Sequence, residues 1–348
     1  MVDEAGFEAL FASEATLRNH FEEGLERLLD VGDMNLFILV VANASFDARL
    51  WEVLSPRLRV QYDLLLSDLR SALMQDRRID ETEDDLLVFL KMSCIGMDAL
   101  HLTERRAVGP WEVQFNQLRS FRPLRHSQRP MTSIQAPFDA AAFNFNKVFM
   151  QQETIASGEL LGRHVDLYYN KYPFVDSHSL LVPDREQCYP QYLFEDMHYY
   201  VWKLVNHLSI TLPGIGVGYN ALGAFASVNH LHMQLFVREQ PLPVESAEWK
   251  HHGGSQDYPV DCRVFDDPHT AWQQIAQLHK HNEAYNLLYA PGRLYCMPRR
   301  KQGEFTVPDW SNGFSWFELC GSMITSNHED WLGLNEAAIA ADLARSRR

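Results

Sequence analysis

Residues 216–238 constrain the fold more tightly than any other stretch of this sequence. Their last part reads as a strand, in which successive side chains point to opposite faces. One face is entirely apolar and suits a buried core: Leu231, Met233, Leu235 and Val237. The opposite face carries His230, His232, Gln234 and Phe236. A strand here therefore presents two imidazoles and an amide in a row, about 7 Å apart.

A loop of small residues, 220–229, directly precedes this strand. Gly223, Ala224 and Ala226 have little bulk, so backbone amides there can approach an anion closely. A neutral histidine beside such a loop can attack phosphorus, and a neutral amide can donate to phosphoryl oxygens without losing a proton. A His-x-His pair also suits zinc, and it can be purely structural. Spacing alone leaves all three interpretations open.

The histidine strand carries a family resemblance. His230-Leu-His232-Met-Gln234 resembles the His-x-His-x-Gln signature of the nucleotidyl-transferring branch of the histidine triad superfamily. That branch contains galactose-1-phosphate uridylyltransferase and diadenosine tetraphosphate phosphorylase. The longer run 218–234 resembles the GDP-hexose phosphorylases, both the plant GDP-L-galactose and the animal GDP-D-glucose enzymes. This seventeen-residue run is far more specific than a lone His-x-His.

The resemblance implies a double displacement at phosphorus. His232 is expected to attack the α-phosphorus of a GDP-hexose and form a guanylyl-histidine, from which inorganic phosphate releases GDP. Gln234 is expected to stabilise the charged oxygens, and backbone near His230 to fix the tautomer of His232. The implied catalytic residues are His232, Gln234 and His230. The implied phosphate cradle is Asn220, Gly223, Ser227 and Asn229.

A basic cluster stands out in an otherwise acidic chain. Arg119, Arg122 and Arg125 fall within a short stretch that also holds His126 and Arg129. Guanidinium groups bind phosphate in bidentate fashion, so the cluster is a candidate diphosphate clamp, with a solvated loop as the alternative. The GDP-hexose phosphorylases have a similar basic stretch before motifs that correspond here to residues 137–139 and 143–147. Lys147 is therefore a further candidate phosphate contact.

The pattern along residues 111–348 predicts an α+β fold. Strands are expected at 163–170, 178–183, 215–220, 285–290 and 293–298, the last two joined by a turn at Pro291-Gly292, and a helix is expected at 190–212. The first two strands resemble the histidine triad core hairpin, except that Ser177 stands where glycine is usual. The last pair resembles a degenerate second half of a duplicated fold, without a second His-x-His-x-Gln. Trp316, Glu318 and Gly321 also resemble a stretch of the family.

Residues 1–110 are expected to be mainly helical. Apolar side chains at helical spacing mark helices within 1–31, 58–73 and 86–102, whereas the apolar run 35–43 favours a strand. The predicted organisation is therefore a helical N-terminal region (1–110), a catalytic histidine triad-like half with an antiparallel sheet (111–240), and a degenerate second half with a C-terminal helix (241–348).

Composition narrows the functional classes. A net charge of −15 over 348 residues argues against a nucleic-acid surface. Five scattered cysteines without a Cys-x-x-Cys motif, an acidic N-terminus and no long apolar run favour a cytoplasmic protein that is neither secreted nor membrane-bound. The expected partners are GDP-hexose and inorganic phosphate, with no cofactor or metal. The oligomeric state stays open, with a homodimer among the alternatives.

Two other functions remain. A dinucleoside polyphosphate phosphorylase or hydrolase would use the same histidine on an adenine nucleotide. A non-catalytic nucleotide-binding regulatory protein would bind without turnover. A uridylyltransferase fits less well, because Leu231 replaces the proline usual between its two histidines and its zinc-binding cysteine pair is missing.

Overall fold

The computed structural model describes residues 4–122 and 130–348, and the side chains from residue 6 onward. The strands, in chain order, are β1 (Glu104–Val108), β2 (Trp111–Phe115), β3 (Thr154–Leu160), β4 (Arg163–Tyr169), β5 (Ser179–Pro183), β6 (Ile215–Asn220), β7 (Met233–Val237), β8 (Arg263–Phe265), β9 (Ala284–Ala290), β10 (Arg293–Arg299) and β11 (Ser322–Thr325). The α-helices are α1 (Glu4–Ala9), α2 (Glu14–Leu29), α3 (Met34–Phe46), α4 (Ala48–Met74), α5 (Glu83–Ile95), α6 (Gln117–Phe121), α7 (Glu195–Leu208), α8 (Pro268–Lys280), α9 (Trp316–Leu319), α10 (His328–Gly333) and α11 (Glu336–Ala344).

The large sheet is antiparallel throughout and has the order β3-β4-β5-β7-β6-β9-β10-β8. The six strands from β5 to β8 are arranged symmetrically about the β6–β9 pair. The succession β5-α7-β6-β7 recurs as β8-α8-β9-β10, and the two copies meet where β6 pairs with β9. The predicted α+β class, the antiparallel sheet with packed helices, and the duplication with a degenerate second half are confirmed.

Alternate residues of the histidine stretch are buried on opposite faces of the large sheet. Leu231, Met233, Leu235 and Val237 all enter one core, which they share with the apolar faces of α7 and α8. Phe236, on the opposite side, packs in a second core with Trp316 and Trp111. The predicted burial of one face of the histidine strand is therefore confirmed. The small sheet, in which β11 runs parallel to β2 and β1 antiparallel, contributes to the second core.

The N-terminal region is helical, as predicted, but residues 35–43 form part of α3 and not a strand. Asp33 caps this helix by accepting hydrogen bonds from the main-chain N–H groups of Asn35 and Leu36. The helix is buried almost all round, so it is apolar on every side and lacks the periodicity of a surface helix. A short apolar run of this kind cannot be told from a buried strand by its pattern.

The helical layer is joined to the edge of the large sheet. The hydroxyl of Tyr169 on β4 donates to the main-chain oxygen of Phe21 at 2.8 Å. Phe7 lies so close to Gly158 on β3 that a side chain there would collide with its ring. Lys171, just after β4, forms an ion pair with Asp85 of α5, whose side chain is 9% exposed. The apolar side chains of these helices enter the same core as Met233 and Leu235, on the face of the sheet opposite to the histidine side chains. Within the described residues, no helix has the length and apolar character needed to cross a bilayer.

Candidate active site

The two histidines lie immediately before β7, because the strand begins at Met233. The strand therefore begins later than predicted. At His232, the side chain of Gln191 makes the hydrogen bonds that a neighbouring strand would otherwise make. Gln191 accepts from the N–H of His232 at 2.9 Å and donates to the main-chain oxygens of His232 at 3.0 Å and Asn220 at 2.9 Å. Its amide therefore bridges the end of β6 and His232 much as a peptide group of a neighbouring strand would.

The ring of His232 is held in one tautomer. Its Nδ1 lies 2.8 Å from the main-chain oxygen of His230. Since a carbonyl oxygen can only accept, Nδ1 carries the proton and Nε2 keeps its lone pair. Burial lowers the pKa of His232 to about 4, so the ring is neutral at physiological pH. A neutral imidazole with a free Nε2 is a nucleophile.

Both ring nitrogens of His230 have main-chain partners. Its Nδ1 accepts from the N–H of Phe145 at 3.2 Å, and its Nε2 donates to the oxygen of Arg185 at 2.9 Å. Arg185 is itself fixed by Asp166 at 3.0 Å and Asn146 at 2.6 Å. His230 is thus locked in place, and its carbonyl oxygen is the group that reaches His232.

The amide of Gln234 has its oxygen occupied. Its Oε1 accepts from the indole Nε1 of Trp316 at 2.7 Å and lies 3.2 Å from Nε2 of His178. Nδ1 of His178 accepts from the N–H of Phe174 at 3.3 Å, and its Nε2 also lies 3.1 Å from the side-chain nitrogen of Asn170. Burial lowers the pKa of His178 to about 3. The NH₂ group of Gln234 is therefore the end of the amide left to face a ligand.

The predicted phosphate cradle is only partly open. The Oδ1 of Asn220 accepts from Nδ2 of Asn286 at 2.6 Å and from the N–H of Trp316 at 2.9 Å. The side chain of Asn229 binds the main chain at Gln191 and Pro137, at 3.0 and 2.7 Å. Both asparagines shape the loop from within. Gly223 has a positive φ of 78°, is buried, and accepts from the N–H of Gln302 at 2.8 Å. Ser227 is exposed, so its hydroxyl is open to solvent.

Two of the basic candidates, Arg119 and Arg122, lie together near Tyr172, and Lys147 binds a different loop. Arg119 is buried over the ring of Phe174 at 4.8 Å, donates to the main-chain oxygen of Tyr172 at 2.8 Å, and has its pKa lowered to about 10 by burial. Arg122 lies over the ring of Tyr172 at 5.7 Å. Lys147 is exposed and binds the oxygen of Ala140 at 2.9 Å. Arg125 lies outside the described residues. In the described part, these contacts support loops and do not form a single cationic clamp.

Several residues around the site were missed by sequence reasoning. From the second half, Asn286 bridges Asn220 and Arg299, whose guanidinium is 2% exposed and lies between the rings of Phe225 and Phe305 at 4.9 and 5.4 Å. In the sequence, Arg299 is the first of three consecutive basic residues at the end of a hairpin, and this pattern does not indicate a buried arginine. Gln191 belongs to no recognisable sequence motif either, because its side chain bridges Asn220 and His232, which are distant from it in the sequence.

An apolar surface adjoins the histidines. The ring of Phe145 lies 5.5 Å from that of His230 and 5.3 Å from that of His232. Next to it, Phe143 and Phe149 contact each other at 6.0 Å and are each more than two-fifths exposed. Exposed aromatic rings beside a nucleophile offer a surface on which a flat ligand can stack.

No cluster of three or more His, Cys, Asp or Glu side chains converges as a metal site in residues 4–122 and 130–348. The zinc alternative for the His-x-His pair therefore has no ligand set in the described part of the chain. Both rings instead make the main-chain contacts given above.

Comparison with known proteins decides the family. Residues 110–236 match the family model described as "GDPGP1-like, N-terminal domain". This region belongs to the GDPGP1-like family. The resemblance seen in the histidine stretch is therefore confirmed.

Relatives agree with this assignment. The chain is 34% identical over 127 residues to GDP-D-glucose phosphorylase 1 of Danio rerio, covering 36% of each chain. It is 33% identical over 131 residues to the Homo sapiens protein of the same name, covering 35% of this chain and 33% of the relative. It is 26% identical over 266 residues to GDP-L-galactose phosphorylase 1 of Arabidopsis thaliana, covering 61% of this chain and 57% of the relative. The matches thus span about a third of the animal relatives' length and just over half of the plant protein.

Among solved structures, the chain resembles yeast Ap4A phosphorylase Apa2, with a TM-score of 0.50 and 15% sequence identity. The match covers 78% of this chain and 97% of the yeast chain. At this identity the likeness concerns the fold, and it extends well beyond the family-matched residues into the second half of the sheet.

Proposed function

We propose that this chain is a nucleotidyl-transferring phosphorylase, which cleaves GDP-hexose with inorganic phosphate to give GDP and hexose 1-phosphate. The observation that carries the proposal is the pairing of a neutral His232, with its Nε2 lone pair free, with the NH₂ group of Gln234. One group attacks phosphorus, and the other donates to the oxygens on which charge develops. The GDP-sugar substrate is proposed from the names of the relatives.

In the first step, Nε2 of His232 attacks the α-phosphorus. The bond from that phosphorus to the bridging oxygen breaks, and hexose 1-phosphate leaves with the oxygen. The ring gains a positive charge as the N–P bond forms, and its Nδ1 proton is stabilised by the main-chain oxygen of His230. His230 is therefore a positioning residue.

In the second step, an oxygen of inorganic phosphate attacks the same phosphorus from the emptied subsite. The N–P bond breaks, the electron pair returns to Nε2, and GDP departs. Gln234 can serve both steps without changing protonation state, because an amide neither gains nor loses a proton near neutral pH. No metal or cofactor takes part in this scheme.

The exposed rings of Phe143 and Phe149 supply a stacking surface for the base. They continue from Phe145, which contacts both histidine rings, so a base placed on them would bring its α-phosphate towards His232. Ser227 and the backbone around Gly223 are proposed as phosphate contacts. Arg119, Arg122, Arg125 and Lys147 remain proposals as charge partners, with weaker support from their contacts.

The decisive experiment measures GDP release from GDP-glucose, GDP-galactose, GDP-mannose and the matching ADP-sugars, with and without phosphate. Wild type is compared with His232→Ala and with His281→Ala, a matched control at an exposed histidine. Phosphate-dependent GDP release that is lost only in His232→Ala supports the proposal. Release without phosphate would indicate a hydrolase.

A second candidate, a dinucleoside polyphosphate phosphorylase, would use the same histidine on an adenine nucleotide. Diadenosine tetraphosphate belongs in the same assay, and turnover of it alone would favour this candidate. Nucleotide binding without turnover of any compound would favour the regulatory protein. A homodimer and a cytoplasmic location stay predictions, to be checked by light scattering and by imaging of the tagged full chain.

A further inference from the structure

We infer that Trp316 is a positioning residue for the reaction, because its indole N–H fixes which end of the Gln234 amide faces the phosphorus. The inference rests on the proposed function and adds a residue from outside the family-matched region, which ends at residue 236. It gives the C-terminal part of the chain a role in the chemical step.

A glutamine amide has two ends of nearly the same shape and opposite hydrogen-bonding character. Turned one way, Gln234 donates two N–H groups to phosphoryl oxygens. Turned the other way, it would present an oxygen to them and repel the substrate. An unrestrained amide would sample both orientations, so the catalytic orientation must be imposed by neighbours.

Trp316 can impose it because an indole N–H donates and never accepts. The atom 2.7 Å from Trp316 Nε1 must therefore be the amide oxygen. The NH₂ group then points away from the indole. Nε2 of His178 lies 3.2 Å from the same oxygen.

The indole is itself held on several sides. Trp316 is completely buried, stacks on the ring of Phe236 at 5.1 Å and 11°, and donates its main-chain N–H to Asn220. Gly218 is the β6 partner of Gln234 in the sheet. A Cβ at residue 218 would lie 2.2 Å from the indole, so glycine there is what allows the ring to reach Gln234.

The test is a double-mutant cycle measured by steady-state kinetics. Trp316→Phe keeps an aromatic ring and removes the N–H. We expect it to lower kcat about 10- to 100-fold, as for loss of one preorganised donor, with KM for the nucleotide changed less than about 3-fold. Trp310→Phe is the matched control, because this buried tryptophan donates its indole N–H to Asp342 at 2.8 Å and not to Gln234.

The cycle separates positioning from general damage. If Trp316 acts through Gln234, then Trp316→Phe has little further effect, within about 2-fold, once Gln234→Ala is present. If Trp316 only supports the fold, the two losses multiply, and the inference is overturned.

Four further outcomes are informative. If Trp316→Phe does not fold, replacement of Trp316 by benzothienylalanine removes the N–H while keeping the shape, and the same loss of kcat is expected. An unchanged kcat would refute the inference while leaving the proposed function intact. If wild type turns over diadenosine tetraphosphate instead, the cycle is run on that substrate. Wild type inert towards every nucleotide would overturn the proposed function and the inference together.

Discussion

The Nδ1 atom of His232 lies 2.8 Å from the main-chain oxygen of His230. This contact leaves the ring with a single available nitrogen. Burial keeps that nitrogen unprotonated, because it lowers the pKa of His232 to about 4.

The rate should therefore be insensitive to acid over a range where an ordinary histidine would be protonated. The neutral ring is the reactive form, so the nucleophile is lost only as pH falls towards about 4. We expect kcat/KM to show no inflection from this group between pH 8 and 5, after correction for phosphate ionisation. A pH profile checks this, and an acid limb near pH 6.5 would contradict it.

Gln191→Glu should impair both activity and stability. The carboxylate keeps the acceptor for the N–H of His232 but loses both donors, so the oxygens of His232 and Asn220 meet a negative charge. We expect a loss of stability of about 1–3 kcal/mol and a fall in kcat of at least about 10-fold, because the histidine segment moves. Urea unfolding and steady-state kinetics measure the two effects. An unchanged kcat would show that the bridge does not position His232.

Ser177→Gly should stabilise the chain. Ser177 has a φ of 51°, in the left-handed region that favours glycine. We expect a gain of about 0.5–1 kcal/mol in the free energy of unfolding, since relief of strain exceeds the added freedom of the unfolded chain. Ser179→Gly, within β5, is the control and should destabilise. Equal losses in both variants would rule out strain at residue 177.

Lys171→Met should destabilise the chain by about 3 kcal/mol. The substitution leaves Asp85 buried without its cation, and a buried unpaired charge is unfavourable. Lys250→Met provides the control, because its ion pair with Asp257 is exposed and should contribute less than about 1 kcal/mol. Chemical unfolding of both variants makes the comparison, and similar small effects would mean that water reaches Asp85 freely.

Several strands of the large sheet could be predicted from the sequence, because the patterns that indicate them involve residues close together in the chain. Strand β6 was predicted to the residue, and the Pro291-Gly292 turn located the β9–β10 hairpin. Alternation along the histidine stretch gave the buried face correctly. Each of these depends on residues that are neighbours in the chain.

The remainder depends on contacts between distant segments. The strand predicted at 35–43 is a helix, because burial on all sides removes the helical period. The side chains of Asn220 and Asn229 were expected to face phosphate, but their partners at Asn286, Trp316 and Gln191 use them for structure. Such partners are brought together only by the sheet, so no local spacing predicts them.

The mirrored order of the large sheet has a further consequence. With β9 paired to β6, the strand beside the histidine segment has no free edge. A fragment ending before β8 would expose the whole hydrogen-bonding edge of β6 to solvent, and an unpaired inner edge recruits other chains. The second half of the duplication thus acts as a permanent cover for the strand beside the histidine segment, and it can do so without any histidine of its own at the matching position.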